Sequence, residues 1–166
     1  MIMGSSKHKF QDTFEISYEQ YFHNQYSYVV KLIRELQDKL GEEKTHEIVY
    51  PLFERMFVDW AKKSVEDSPI NSLGDYIEYD QRAFTKTHTI EIKEATSTKY
   101  LAHVTECVFA KVFRGMGASK IGHDFICATD YACTSAYNPK LKLTRTKTLM
   151  QGAPYCDFCY TWKDGE

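Results

Sequence analysis

Six apolar residues, Phe22, Tyr26, Val29, Ile33, Leu36 and Leu40, recur at steps of 4, 3, 4, 3 and 4 along an otherwise polar stretch. That spacing is the stripe of an amphipathic helix, and it does not fit a strand, whose faces alternate every second residue. Gly41 stands where a left-handed cap would end such a helix. A second stripe follows at once in Val49, Leu52, Phe53, Met56, Phe57, Trp60 and Ala61, and Pro51 should either kink that helix or begin its main body. The two helices are expected to pair as an antiparallel hairpin.

The period then changes. Residues 66–76 are rich in turn formers and read as a loop. From Phe84 to Glu94 the chain alternates, with His88, Ile90 and Ile92 on one face and Thr87, Thr89 and Glu91 on the other, as a half-buried strand does. Ser97-Thr98 turns it into a second strand over 99–105. A short helix over 106–114 should stop at Gly115-Met116-Gly117, and a longer one over 120–137 should run to Asn138-Pro139. Two further strands, 141–150 and 155–163, are joined by Gln151-Gly152-Ala153-Pro154. Helices and strands in blocks predict an α+β fold: an N-terminal helical hairpin, then a four-stranded, mainly antiparallel sheet in ββααββ order with helices over one face. A length of 166 residues suits a single domain, here 17–166, behind a polar tail over 1–16.

Charge and cysteine usage exclude several functions. Lys and Arg number 21 against 23 Asp and Glu, with no basic block to neutralise a phosphate backbone, so no nucleic-acid partner is expected. No run of about 18 apolar residues and no secretory h-region occurs, which points to a soluble cytoplasmic protein with no membrane contact. The five cysteines are odd in number and all lie beyond residue 106, a poor layout for a disulfide framework, and they read as free thiols. With 12 Tyr, 10 Phe and 2 Trp, the chain can wall a pocket with rings.

Several side chains could carry chemistry. On a continuous helix over 120–137, His123, Cys127 and Asp130 stand at i, i+4 and i+7 and share one side, where an imidazole could activate a thiolate and a carboxylate could orient it. The alternative is a solvated face beside a small buried cysteine. Cys156-Asp157-Phe158-Cys159 is a C-x-x-C, yet on an alternating strand its sulfurs diverge. A zinc centre would need two further ligands from Cys107, Cys127, Cys133, His103 or His123, and no closely spaced pair offers them, so no cofactor is expected and zinc is the one metal left open. Glu106 and Cys107 fall where a strand hands over to a helix. Arg145 shares a strand face with Leu141, Leu143 and Leu149, and a guanidinium there needs a carboxylate, from a ligand or from Glu106, Asp130 or Asp157.

Residues 65–69 with Leu73-Gly74-Asp75-Tyr76, the run 104–114, Ile126-Cys127-Ala128-Thr129-Asp130, residues 137–141 and residues 145–152 ahead of Cys156 together resemble the L-2-amino-thiazoline-4-carboxylic acid hydrolase family over about residues 50 to 163. The resemblance implies hydrolysis of a cyclic amidine, in the namesake reaction opening a 2-amino-thiazoline to N-carbamoyl-L-cysteine. It makes Cys127, Asp130, Glu106 and Cys156 candidate catalytic groups and Arg145, His123, Cys107 and Asp157 candidate substrate contacts. Where the family often ends in a Cys-Asn-His-Arg-Tyr pattern, this chain reads Cys156-Asp157-Phe158-Cys159-Tyr160, without the His and Arg. Both water and thiolate attack at C2 are compatible with these residues. Arg145 is the expected anchor for a substrate carboxylate, within a small enclosed pocket bordered by Glu106, Cys127 and Cys156. The competing function is a non-catalytic binding module, since the cysteines and aromatic rings are also similar to those of vinyl-reductase-like small-molecule-binding domains. Homo-oligomerisation is left open.

Overall fold

The computed structural model describes residues 15–163, so most of the tail expected over 1–16 lies outside the described residues. The hairpin is formed by α1 (Tyr18–Leu40) and α2 (Glu42–Ser64). Ser17 caps α1 through its hydroxyl, which accepts from the Gln20 N–H at 3.1 Å. Gly41 alone joins the helices at φ +82°, a conformation open to glycine, while its N–H bonds the Gln37 carbonyl. Helix α2 does not begin at Pro51 but runs through it, and the exposed position of Pro51 leaves the freed carbonyl one turn earlier to solvent.

The expected loop over 66–76 is shorter than the sequence suggested. Ser72 caps a further helix, α3 (Leu73–Phe84), by accepting from the Asp75 N–H, and Asp75 reaches back to the Asn71 N–H. The polar residues that read as turn formers are therefore a helix start. Strands β1 (His88–Ala95) and β2 (Lys99–Cys107) follow, then α4 (Val108–Gly115).

The predicted helix over 120–137 is not continuous. It consists of α5 (Ser119–Phe125), one turn of 3₁₀ helix (Cys127–Thr129) and α6 (Asp130–Tyr137). The third predicted strand is also short: β3 (Leu141–Thr144) is followed by an irregular stretch and a 3₁₀ turn (Leu149–Gln151) before β4 (Cys156–Trp162). All pairings are antiparallel, in the order β1-β2-β4-β3.

One sheet face carries Tyr100, Ala102, Val104, Cys156, Tyr160, Leu141 and Leu143, all buried under the helices. Beneath them lie two apolar cores. One joins α1, α2, α4 and α5 to Val104 and Cys156, and the other joins α3 and α6 to Tyr100, Tyr160 and β3. Phe57, Ile90 and Phe158 pack against both, so the site described next sits near their meeting line.

Candidate functional site

Three thiols from three elements come together. Cys107 is the N-cap of α4, and its sulfur accepts the Ala110 N–H at 3.5 Å. Cys127 opens the 3₁₀ turn, and Cys156 starts β4, where its sulfur accepts the Leu149 N–H at 3.2 Å. They lie near enough that a charge on one raises the others. Burial is the larger effect: it pushes Cys107 up to about 12, drives Cys127 higher still, and raises Cys156 against the pull of the Leu149 N–H. All three are protonated near neutrality.

Arg145 leaves β3 on the inward side, with only 3% of its side chain exposed. It forms an ion pair with Asp130, donates from Nη2 to the Cys127 carbonyl at 2.9 Å, and lies over Phe158 with its guanidinium carbon 4.9 Å from the ring centroid. Burial pushes the Asp130 carboxyl up, and the adjacent guanidinium pulls it back. The expectation that Arg145 anchors a ligand carboxylate is thus corrected: Asp130 already supplies that carboxylate, and the pair braces the thiol cluster from below.

The proposed alignment of His123 with Cys127 also fails. The helix breaks at Ile126, and His123 stays on α5, where its Nδ1 faces Asp124 at 3.2 Å. Asp157 is spent elsewhere, because its oxygens accept from the Thr146 N–H (2.9 Å), the Thr146 hydroxyl (2.5 Å) and the Lys147 N–H (2.6 Å). That grip pulls the chain after β3 out of the sheet. The continuous alternation of β4 puts Cys159, opposite Leu101, on the other sheet face from Cys156. Among the described residues, no three His, Cys, Asp or Glu side chains form a metal cage.

The opening to solvent lies at the Cys107 end. A cleft of about 540 Å³ is lined by Glu19, Glu106, Cys107, Val108, Ala110, Lys111, Arg114 and Leu149. It is an open cleft, not the enclosed pocket expected, and of the three residues meant to border that pocket only Glu106 lines it. Glu106 is exposed at the end of β2 and accepts a hydrogen bond from the Thr89 hydroxyl. Helix α4 contributes Cys107, Ala110, Lys111 and Arg114, at i, i+3, i+4 and i+7, a single helical face. Among the described residues Arg114 makes one long contact, to the Leu149 carbonyl at 3.4 Å, and Lys111 pairs with Glu19 across the cleft at 2.6 Å. Sequence reasoning passed over Lys111 and Arg114, although their spacing from Cys107 was visible.

A helix-covered antiparallel sheet, with a cluster of thiols beside an open, charged cleft, defines a small α+β protein. The family model for L-2-amino-thiazoline-4-carboxylic acid hydrolase matches residues 21–160, and the chain belongs to that family. No curated protein matches. Among solved structures, the fold is similar to the phenol-responsive sensory domain of the transcription activator PoxR with phenol, at 17% identity and TM-score 0.51, covering 81% of this chain and 72% of that one. It is also similar to a trafficking protein particle complex subunit 3 from Naegleria fowleri covalently bound to palmitic acid, at 10% identity and TM-score 0.55, covering 88% and 95%. Identities this low concern the fold alone. No helix among the described residues is long and apolar enough to cross a membrane.

Proposed function

We propose that the chain is a cytoplasmic hydrolase that opens a small carboxylated cyclic amidine or thiazoline, such as L-2-amino-thiazoline-4-carboxylate, in the cleft at the start of α4. The observation that carries this reading is that the carboxylate of Glu106 and the guanidinium of Arg114 line the same cleft as Cys107, beside a second carboxylate, Glu19, that is paired with Lys111. The Arg114 fork suits a substrate carboxylate, while Lys111 is paired with Glu19 across the cleft. With the ring nitrogen protonated, C2 is electrophilic, and Glu106 accepts a proton from the water that attacks it. The C2–O bond forms, the C2–S bond breaks, the proton held by Glu106 passes to the departing sulfur, and the hydroxyl proton left at C2 returns to solvent in place of the one that protonated the ring nitrogen, giving N-carbamoyl-L-cysteine with one water consumed. Water attack is favoured over thiolate attack because burial holds the neighbouring thiols protonated. Five unpaired cysteines suit a reducing compartment.

The test is incubation of the purified protein with this substrate and related cyclic amidines, with products read by mass. Glu106→Gln should lower kcat by roughly 10²–10⁴ with substrate binding retained. Arg114→Ala should raise KM for the carboxylated compound and leave a decarboxylated analogue unchanged. The likeness of the fold to a phenol-responsive sensory domain supports a second reading, a ligand-binding module. Saturable binding without turnover across the panel would establish that reading and overturn the enzyme.

A further inference from the structure

The hairpin keeps apolar side chains outside as well as inside. Tyr21, Tyr28 and Leu32 of α1 are exposed, as are Ile48, Leu52, Met56 and Trp60 of α2, with Tyr28 at 77% and Met56 at 65%. The first set falls at i, i+7 and i+11 and forms one line along α1; on α2 each step of four advances about 40°, so Ile48, Leu52 and Met56 share a flank while Trp60 has turned out of it and packs against Phe84 of α3 with ring centroids 6.3 Å apart.

The packing of each helix fixes where its line points. Helix α1 turns Phe22 and Tyr26 toward α4, against Phe109 and Phe113 with ring centroids 4.7 and 5.2 Å apart, and Arg34 reaches the Met116 and Gly117 carbonyls beyond α4. Helix α2 turns Phe53 toward Phe125 of α5, while Tyr50 and Glu54 lie on the side of Cys133 in α6. At about 100° per residue, the exposed line of α1 lies on the flank away from α4, and that of α2 on the flank away from α6. In a hairpin whose two helices pack on each other, these flanks border one outer groove.

We propose that this groove is the interface of a symmetric homodimer, in which the hairpins of two chains pack into a four-helix layer. Three features select a second copy of this chain as the occupant. The six side chains on these flanks expose roughly 650 Å², within the range per partner of a standard-size interface and above what monomers commonly leave in one patch. Tyr and Met, which are enriched at interface centres, supply half of the patch. The helices around it carry both charge signs, Lys31, Glu35, Arg55 and Asp59 among them, so an isologous contact meets no block of like charge. The cleft at Cys107 opens elsewhere, beside α4, so the interface is independent of the catalytic reading.

Light scattering and sedimentation of the full chain should give twice the 19.4 kDa chain mass. Tyr28→Glu with Met56→Glu, which places charges in the groove of both copies, should raise the dimer dissociation constant at least about a hundredfold. Both positions are among the most exposed, and circular dichroism checks that the fold is kept; if it is lost, Tyr28→Ala should still weaken the dimer about tenfold. Ile92→Glu, at the open edge strand β1, should leave the dimer intact. A wild-type chain that stays monomeric across a roughly hundredfold concentration range overturns the proposal and assigns the groove to another partner. A dimer that survives the groove variants but is broken by Ile92→Glu overturns it in favour of strand pairing.

Discussion

Asp80 offers a test of the second core. It sits on α3, buried, and its carboxylate accepts the Tyr100 hydroxyl at 2.9 Å. Burial pushes its pKa up from 3.8 to about 6, against the smaller lowering by the Tyr100 bond. The unfolded chain ionises this group near 3.9, so folding favours its neutral form. Its contribution is fully present below the unfolded value, falls away as pH rises through about 6, and is lost above. A shift of about two units corresponds to about 3 kcal/mol at 1.36 kcal/mol per unit. Asp80→Asn keeps the acceptor for Tyr100 and removes the titration. Its buried amide adds a constant offset, so the observable is the change with pH in the stability difference between variant and wild type. Urea unfolding between pH 4 and 8 should show that difference moving in favour of Asn by about 2 kcal/mol, most of it before pH 7, because the unfolded carboxyl is already half ionised at pH 4. A difference that stays flat across this range would refute the reasoning, because it would mean that Asp80 ionises alike in folded and unfolded chains.

Gly122 on α5 packs so closely that an added Cβ would meet Met150 at 2.7 Å and Phe113 at 2.8 Å; Gly122→Ala should cost about 1–3 kcal/mol, read from the urea midpoint. Removing the guanidinium from the Arg145–Asp130 pair should cost about 2 kcal/mol in Arg145→Leu, below the range for fully buried pairs because Asp130 keeps some solvent contact, and Asp130→Asn in the same chain should recover part of it. Cys107, held near 12, should react with iodoacetamide at pH 8 at least about tenfold more slowly in the folded chain than in urea, as followed by peptide mass; equal rates would contradict a half-buried, protonated thiol.

The sequence by itself determined the hairpin, the family and the succession of strands and helices along the chain, but not the β1-β2-β4-β3 order in the sheet. A stripe such as Phe22 to Leu40 encodes its own period, and alternation across 88–92 encodes a strand, because each follows from local backbone geometry and the need to bury one face. It did not separate the turn formers of 66–72 from the helix they cap, since Ser and Asp serve both roles through the same side-chain bonds. Two other features were decided only in three dimensions. The helix over 120–137 breaks at Ile126 without Gly or Pro: the Thr129 hydroxyl takes the Ile126 carbonyl at 2.7 Å, and Arg145, distant in sequence, takes the Cys127 carbonyl. The strand after Thr144 ends because Asp157 of β4 captures the N–H groups of Thr146 and Lys147. That same departure lets Arg145 turn inward to Asp130, and the cleft beside α4 is lined by Glu106, Lys111 and Arg114. Backbone groups captured by side chains far away in sequence leave no periodic trace in it, so the tertiary contacts alone placed the site.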